Sequence, residues 1–78
     1  MNLKEQVLAG IIRSRLTEDK RTSGQSIDVY VVDGDIYLLG SVDDETQRQT
    51  ARTIVRGIVG VREVVDRITV RQHVTVSH

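Results

Sequence analysis

The sequence predicts an α+β fold of order α-β-β-α-β, in which two helices pack on one face of a three-stranded sheet. Two alternating apolar runs flank Asp33-Gly34 within residues 27–42, a pattern typical of a β-hairpin with a two-residue turn. An amphipathic segment precedes this hairpin. A second one follows it, before a last alternating run at 61–70.

The composition indicates a single domain over 1–78, with a structured core at about 3–71 and a tail at 72–78. The 78 residues include no Cys, so neither disulfides nor thiolate metal sites can support so small a core. Phe and Trp are also absent. We therefore expect a core of Val, Ile and Leu side chains.

The first helix is predicted from Leu3 to about Leu16. Apolar side chains at i,i+4 spacing form two rows along it. The rows are Leu3, Val7 and Ile11, and Leu8, Ile12 and Leu16. Asn2 is placed to be the N-cap and Glu5 to complete a capping box. The polar stretch 17–26 then predicts a solvated connection.

The hairpin has two faces of different character. Asp33 and Gly34 both tolerate the positive φ that a type I′ turn requires. The face predicted for the core carries Ile27, Val29, Val31, Ile36, Leu38, Gly40 and Val42. Gly40 within a strand indicates a bulge or a closely approaching helix. The opposite face is also apolar, which is unusual for a sheet with one wet face; it carries Tyr30, Val32, Tyr37 and Leu39.

The second helix is predicted from Asp43 to about Ile58, with Asp43 as N-cap and Gly60 at the left-handed position that ends it. Its apolar face carries Ala51, Ile54, Val55 and Ile58. Along its flank, Arg48, Arg52 and Arg56 form an i,i+4,i+8 row.

The last strand is predicted over Val61–Val70, with Val64, Ile68 and Val70 in the core and Asp66 as an exception within the alternation. It can extend through Val74 and Val76 or fray. A right-handed crossover through the second helix makes this strand parallel to the second one. We expect the second strand to lie in the middle of the sheet, because it is the most apolar.

This arrangement resembles the BON domain, a small α/β module of osmotic-shock and other envelope-associated bacterial proteins. The resemblance covers nearly the whole chain and is carried by Asp33-Gly34, Leu39-Gly40-Ser41-Val42 and Gly60-Val61, with Val64, Asp66, Ile68 and Val70 at the family spacing. It implies a non-enzymatic binding module for phospholipid membranes or other hydrophobic or envelope ligands. Many members have a signal peptide and paired domains, whereas this sequence has one copy and no signal pattern.

Five residues are candidates for ligand or membrane contact. The three arginines Arg48, Arg52 and Arg56 can meet anionic head groups, and Tyr30 and Tyr37 can make apolar contact. The alternative for the arginines is a solvated helix face. The i,i+4 pair of Asp44 and Arg48 would support that alternative.

The face formed by Tyr30, Val32, Tyr37 and Leu39 has three interpretations. It can be an oligomer interface, a platform for lipid or ligand, or an exposed sheet without a binding role. The oligomer interpretation gives the alternative function, a self-associating structural or regulatory module for protein–protein interaction.

Charge and motifs argue against other classes. Eleven acidic and eleven basic side chains cancel, which argues against a dedicated nucleic-acid binder. No cofactor or metal is expected, since turn and cap chemistry accounts for the acids at 33–35 and 43–45, while His73 and His78 lie in the tail. Without a signal peptide or transmembrane segment, the chain as written is predicted to be cytoplasmic, with peripheral membrane contact as an option. No catalytic motif is present.

Overall fold

The computed structural model describes residues 2–71 and confirms the predicted order of elements. The elements are α1 (Leu3–Glu18), β1 (Ser26–Val32), β2 (Asp35–Val42), α2 (Glu45–Arg56) and β3 (Glu63–Val70). Strand β2 lies in the middle, antiparallel to β1 and parallel to β3. Both predictions for β2 are therefore confirmed. The predicted extension through Val74 and Val76 lies outside the described residues.

Helix α1 begins with the predicted capping box. The Glu5 N–H donates to Asn2 Oδ1 at 2.9 Å, and the Asn2 N–H donates to Glu5 Oε1 at 3.1 Å. The helix continues two residues beyond Leu16 and ends where Asp19 becomes extended, with φ −80° and ψ 123°. The loop after it is anchored, because the buried Thr22 hydroxyl donates to the Leu16 carbonyl at 2.6 Å.

Only one of the two apolar rows on α1 enters the core. Ile12 and Leu16 are buried and Leu8 is partly buried. The other row remains exposed to solvent and consists of Leu3, Val7 and Ile11. Successive helical residues are about 100° apart, so one sheet can cover only one of the rows.

The β1–β2 hairpin has the expected turn but no bulge. Asp33 and Gly34 have φ values of 51° and 85°, as a type I′ turn requires. The register runs without interruption from Ser26↔Ser41 to Val32↔Asp35. Gly40 has φ 113°, and a Cβ there would overlap the carbonyl oxygen of Ser26. The close approach predicted at Gly40 is therefore real, but it comes from β1 and not from a helix.

The bounds of α2 differ from the prediction at both ends. Asp44, not Asp43, is the N-cap, because its side chain accepts from the Gln47 N–H at 2.9 Å and Gln47 bonds back to the Asp44 N–H. The helix ends at Arg56, and Gly57 is the C-cap in right-handed conformation. Gly60, with φ 99°, comes later and belongs to the turn into β3.

Strand β3 starts two residues later than predicted. The Val61 N–H still bonds the Ile58 carbonyl in the turn, and the Arg62 N–H bonds the Gly34 carbonyl at 2.9 Å. The hairpin tip is thus tied to the segment that leads into β3.

The core lies between the helices and one face of the sheet. It consists of Ala9, Ile12, Leu16, Val29, Val31, Ile36, Leu38, Val42, Ala51, Val55 and Ile68. Helix α1 packs mainly on β1 and helix α2 mainly on β3. The opposite face of the sheet is left without a covering layer by residues 2–71.

Candidate binding surfaces

Two of the three arginines predicted for head-group contact are held by an acid within the chain. Arg48 Nε lies 3.0 Å and Arg52 Nε 3.7 Å from Asp66 Oδ2. Arg48 also approaches Glu45 at 3.6 Å, rather than the Asp44 of the predicted pair. Arg56 is exposed and has no ion-pair partner within residues 2–71.

The partners of Asp66 explain why an acid interrupts the apolar alternation of β3. It aligns with Leu38 on the helix-covered side of the sheet, and its side chain is only 10% exposed. Its Oδ1 accepts the Ile68 N–H at 2.9 Å. A carboxylate so placed needs charged partners, which α2 supplies through Arg48 and Arg52.

The uncovered side of the sheet, which we call the open face, carries cross-strand rows. The register aligns Tyr30, Tyr37 and Val65 across β1, β2 and β3. Tyr30 is 51% exposed, Val32 52% and Leu39 38%. The predicted patch of four residues is therefore contiguous, and Val65 completes it. The sequence reasoning missed Val65, although its parity opposite to Val64 and Ile68 was the available signal.

The structure does not bring the predicted arginines and tyrosines together. Helix α2 and its arginines lie on the covered side of the sheet, whereas Tyr30 and Tyr37 alternate with the buried Val29, Val31, Ile36 and Leu38 and so point to the open face. A single flat partner cannot contact both groups at once.

A second apolar surface lies on the outer side of α1; we call it the α1 surface. It consists of Leu3, Val7, Ile11 and the loop residue Val59. Val59 is 94% exposed and Leu3 75% exposed. Val7, Ile11 and Val59 border a groove of about 420 Å³ between α1, the hairpin tip and the α2–β3 turn, and Leu3 lies outside this groove. Lys4 lines this groove, and Arg15 lines the adjoining one between the helices.

Glu5 fixes the shape of this groove. Its Oε2 accepts the Asp33 N–H at 2.7 Å while its Oε1 caps α1. These backbone donors, from Asn2 and then Asp33, lower the pKa of the Glu5 carboxyl. Helix α1 is thereby joined to the turn of the hairpin, and the groove walls hold a defined spacing.

The sequence prediction treated the Leu3 row as part of the packing and did not single out Val59. The signal that could have revealed the α1 surface is the presence of two apolar rows on a helix that faces one sheet.

Within residues 2–71, no cluster of three or more His, Cys, Asp or Glu side chains is arranged to hold a metal ion. Over the same part of the chain, neither helix has the length and apolar character needed to cross a bilayer.

Comparison with known families decides the classification. The model of the BON domain matches residues 4–72. The chain belongs to the BON domain family. No curated protein shows significant similarity to it. BON domains are generally non-catalytic binding modules and are often linked to membrane or phospholipid binding. In this BON domain, the α1 surface and the open face are the two exposed apolar surfaces of the described chain.

Proposed function

We propose that this BON domain is a non-catalytic module that attaches peripherally to phospholipid membranes through its α1 surface. The observation that supports this proposal is the exposure of four aliphatic side chains on one surface, Leu3, Val7, Ile11 and Val59, the last three of which border one groove. Contiguous exposed apolar area of this kind usually marks an interaction site.

The chemistry of the α1 surface suits the boundary between head groups and acyl chains. Transfer of these exposed aliphatic side chains into an apolar phase contributes about 1 kcal/mol for each, so the four together give about 4 kcal/mol. This is near the marginal, reversible attachment given by one acyl chain. Lys4 and Arg15 border the apolar side chains, and each contributes about 1 kcal/mol on an anionic surface.

The ion pairs of Asp66 determine which cations can serve this attachment. Arg48 and Arg52 would have to leave a carboxylate that is almost buried before they could bind a lipid phosphate. We therefore assign head-group contact to Lys4 and Arg15, and retain only Arg56 from the arginine row.

Vesicle co-sedimentation tests the proposal. We expect the protein to sediment with vesicles of phosphatidylglycerol and phosphatidylcholine, more weakly with phosphatidylcholine alone and more weakly at high salt. Val7→Asp and Val59→Asp should each reduce binding about tenfold or more, because a carboxylate replaces an inserted aliphatic group. Thr17→Asp makes a similar charge change at an exposed α1 position outside the surface, and should bind like the wild type.

Two results would contradict this assignment. Failure of the wild-type protein to sediment with either vesicle excludes membrane attachment. Loss of binding in Tyr30→Ser, with Val7→Asp and Val59→Asp unaffected, would move the contact to the open face.

A further inference from the structure

Two of the charged residues on the open face, Asp28 and Arg67, are placed symmetrically about its apolar centre; Asp35 and Glu63 lie on the same face near the turn end. The register aligns Asp28 of β1 and Arg67 of β3 with Leu39 of β2 between them. Both charged residues are exposed. They lie two strand spacings apart, about 9.6 Å, on opposite margins of the sheet.

Several other acids and bases of the described chain are neutralised by ion pairs, whereas these two charges are not. Within residues 2–71, ion pairs join Asp19 to Arg21, Asp35 to Arg62, Asp43 to Arg71, and Asp66 to Arg48 and Arg52. Neither Asp28 nor Arg67 takes part in an ion pair of this described segment. In the row of Leu39, the open face therefore presents a negative charge at the β1 margin and a positive charge at the β3 margin. Glu63 adds a negative charge to the β3 margin nearer the turn end.

We propose that the open face binds a second copy of this chain in a two-fold symmetric dimer. A two-fold axis that runs between two stacked sheets, along the direction of β2, places β1 of each copy over β3 of the other. Asp28 of each copy then faces Arg67 of its partner, so each dimer contains two such pairs. Sheets stack about 10 Å apart with nearly aligned strands, and the long Arg67 side chain can cross this gap to reach the Asp28 carboxylate.

The same axis matches the apolar rows. Tyr37 of one copy lies over Tyr37 of the other, and Tyr30 lies over Val65. Tyrosine suits such a contact, because the ring is buried while the hydroxyl reaches the margin. At the turn end of the face, the charge of Asp35 is already held by Arg62 at 3.0 Å.

Association through the strand edges is less favoured, because side chains occupy both edges. Arg13 of α1 donates to the Val29 carbonyl of the edge strand β1 at 3.1 Å. On the edge strand β3, the Asp66 side chain accepts the Ile68 N–H. Blocked edges are a common protection against strand addition, and they leave the face itself as the surface for a second copy.

The size of the open face predicts a weak dimer. Three strands about 4.8 Å apart and eight residues at about 3.3 Å each give a footprint of about 380 Å² per copy. A standard stable interface buries about 800 Å² per partner. We therefore expect a concentration-dependent dimer in which the charge pairs determine the orientation.

A charge-swap experiment tests this dimer without lipid. Sedimentation equilibrium is measured up to about 1 mM, so that weak dimers are populated. Asp28→Arg and Arg67→Asp should each weaken dimerisation about tenfold, because like charges then face each other twice. Equimolar mixing of the two variants, or combining both changes in one chain, should restore dimerisation. Lys20→Asp, in an exposed loop, is the control for net charge, and circular dichroism checks the fold.

Each other outcome overturns the proposal. A wild type that remains monomeric over this range shows that the open face does not bind a second copy. Single variants that dimerise like the wild type, or a mixture that stays monomeric, exclude the pairing of Asp28 with Arg67.

Discussion

The α1 surface and the open face are both apolar, but they differ in shape and in the placement of charge. The α1 surface is an aliphatic ridge beside a groove, and its bordering cations Lys4 and Arg15 sit on long side chains of one helix. The open face is one side of a three-stranded sheet, with Tyr37 on its central strand, Tyr30 beside it, and Asp28 and Arg67 at opposite margins. A fluid partner such as a lipid layer can adapt to the first, whereas the second fits a rigid partner of matching shape.

The largest expected effect on stability comes from a glycine in the sheet that carries the open face, and it contrasts with a glycine in α1, which carries the α1 surface. Gly40→Ala should lower the free energy of unfolding by about 3 kcal/mol or more, because a Cβ at positive φ would overlap the Ser26 carbonyl of β1. Gly10→Ala, in α1, should raise it by about 1 kcal/mol, since a Cβ there meets no atom within 4 Å. Urea denaturation measures both.

A similar effect for both glycines would show that β1 can move away from Gly40. The open face would then be more adaptable than its flat register indicates.

An intermediate effect is expected when Asp66 is removed. Asp66→Ala should lower the free energy of unfolding by about 2 kcal/mol, because the Ile68 N–H and two arginines lose their acceptor. It should also strengthen binding to anionic vesicles, since Arg48 and Arg52 become free. Glu63→Ala, at an exposed position of the same strand, is the control and should change the free energy by less than about 0.5 kcal/mol.

Unchanged vesicle binding in Asp66→Ala would mean that the α2 side never meets the membrane. That outcome would restrict lipid contact to the α1 surface.

The smallest effects concern carboxylates beside the two surfaces. The pKa of Glu5 is lowered by the backbone donors of Asn2 and Asp33, and that of Asp35 by Arg62. Each folded-state pKa lies below its unfolded value, so each carboxylate stabilises the fold above that value, and this stability is lost as the pH falls through the folded pKa.

We therefore expect the free energy of unfolding to fall as the pH drops below about 4.5, the ordinary value for Glu5. Asp19, whose pKa its hydrogen bonds with Arg21 lower to about 2, sets the lower end of this range. Glu5→Gln and Asp35→Asn should each flatten the pH dependence measured by urea titration. Identical slopes in wild type and variants would show that neither contact persists in solution.

The sequence predicted the parts of the fold that depend on local chemistry. The Asn2–Glu5 capping box and the Asp33-Gly34 turn follow from short-range patterns and were confirmed. The central position of β2 was predicted from its apolar character and was also confirmed. The N-cap of α2 was placed one residue early, because two adjacent aspartates are equally suited. The Gln47 side chain accepts from both of their N–H groups, and only the bond from the Gln47 N–H to the Asp44 carboxylate distinguishes them.

The candidate site was harder to predict because it depends on three-dimensional neighbours. Nothing within the sequence of α2 reveals that Asp66 forms ion pairs with Arg48 and Arg52. Nor does periodicity show which apolar row of α1 meets the sheet. The contiguity of the tyrosine face did follow from strand alternation, but Val65 and the margins Asp28 and Arg67 required the register between strands.

The central position of β2 also has a kinetic consequence. Its pairing with β1 closes through a two-residue turn, whereas its pairing with β3 joins residues 28 positions apart, as in Asp35↔Glu63. Hairpins form in about 1–10 μs, while contacts distant in sequence must first overcome loop-closure entropy. We expect β2 to meet β1 early in folding and β3 late. In the native state, β2 is hydrogen-bonded to a strand on each side. Its amides should therefore exchange with solvent deuterium more slowly than those of either edge strand.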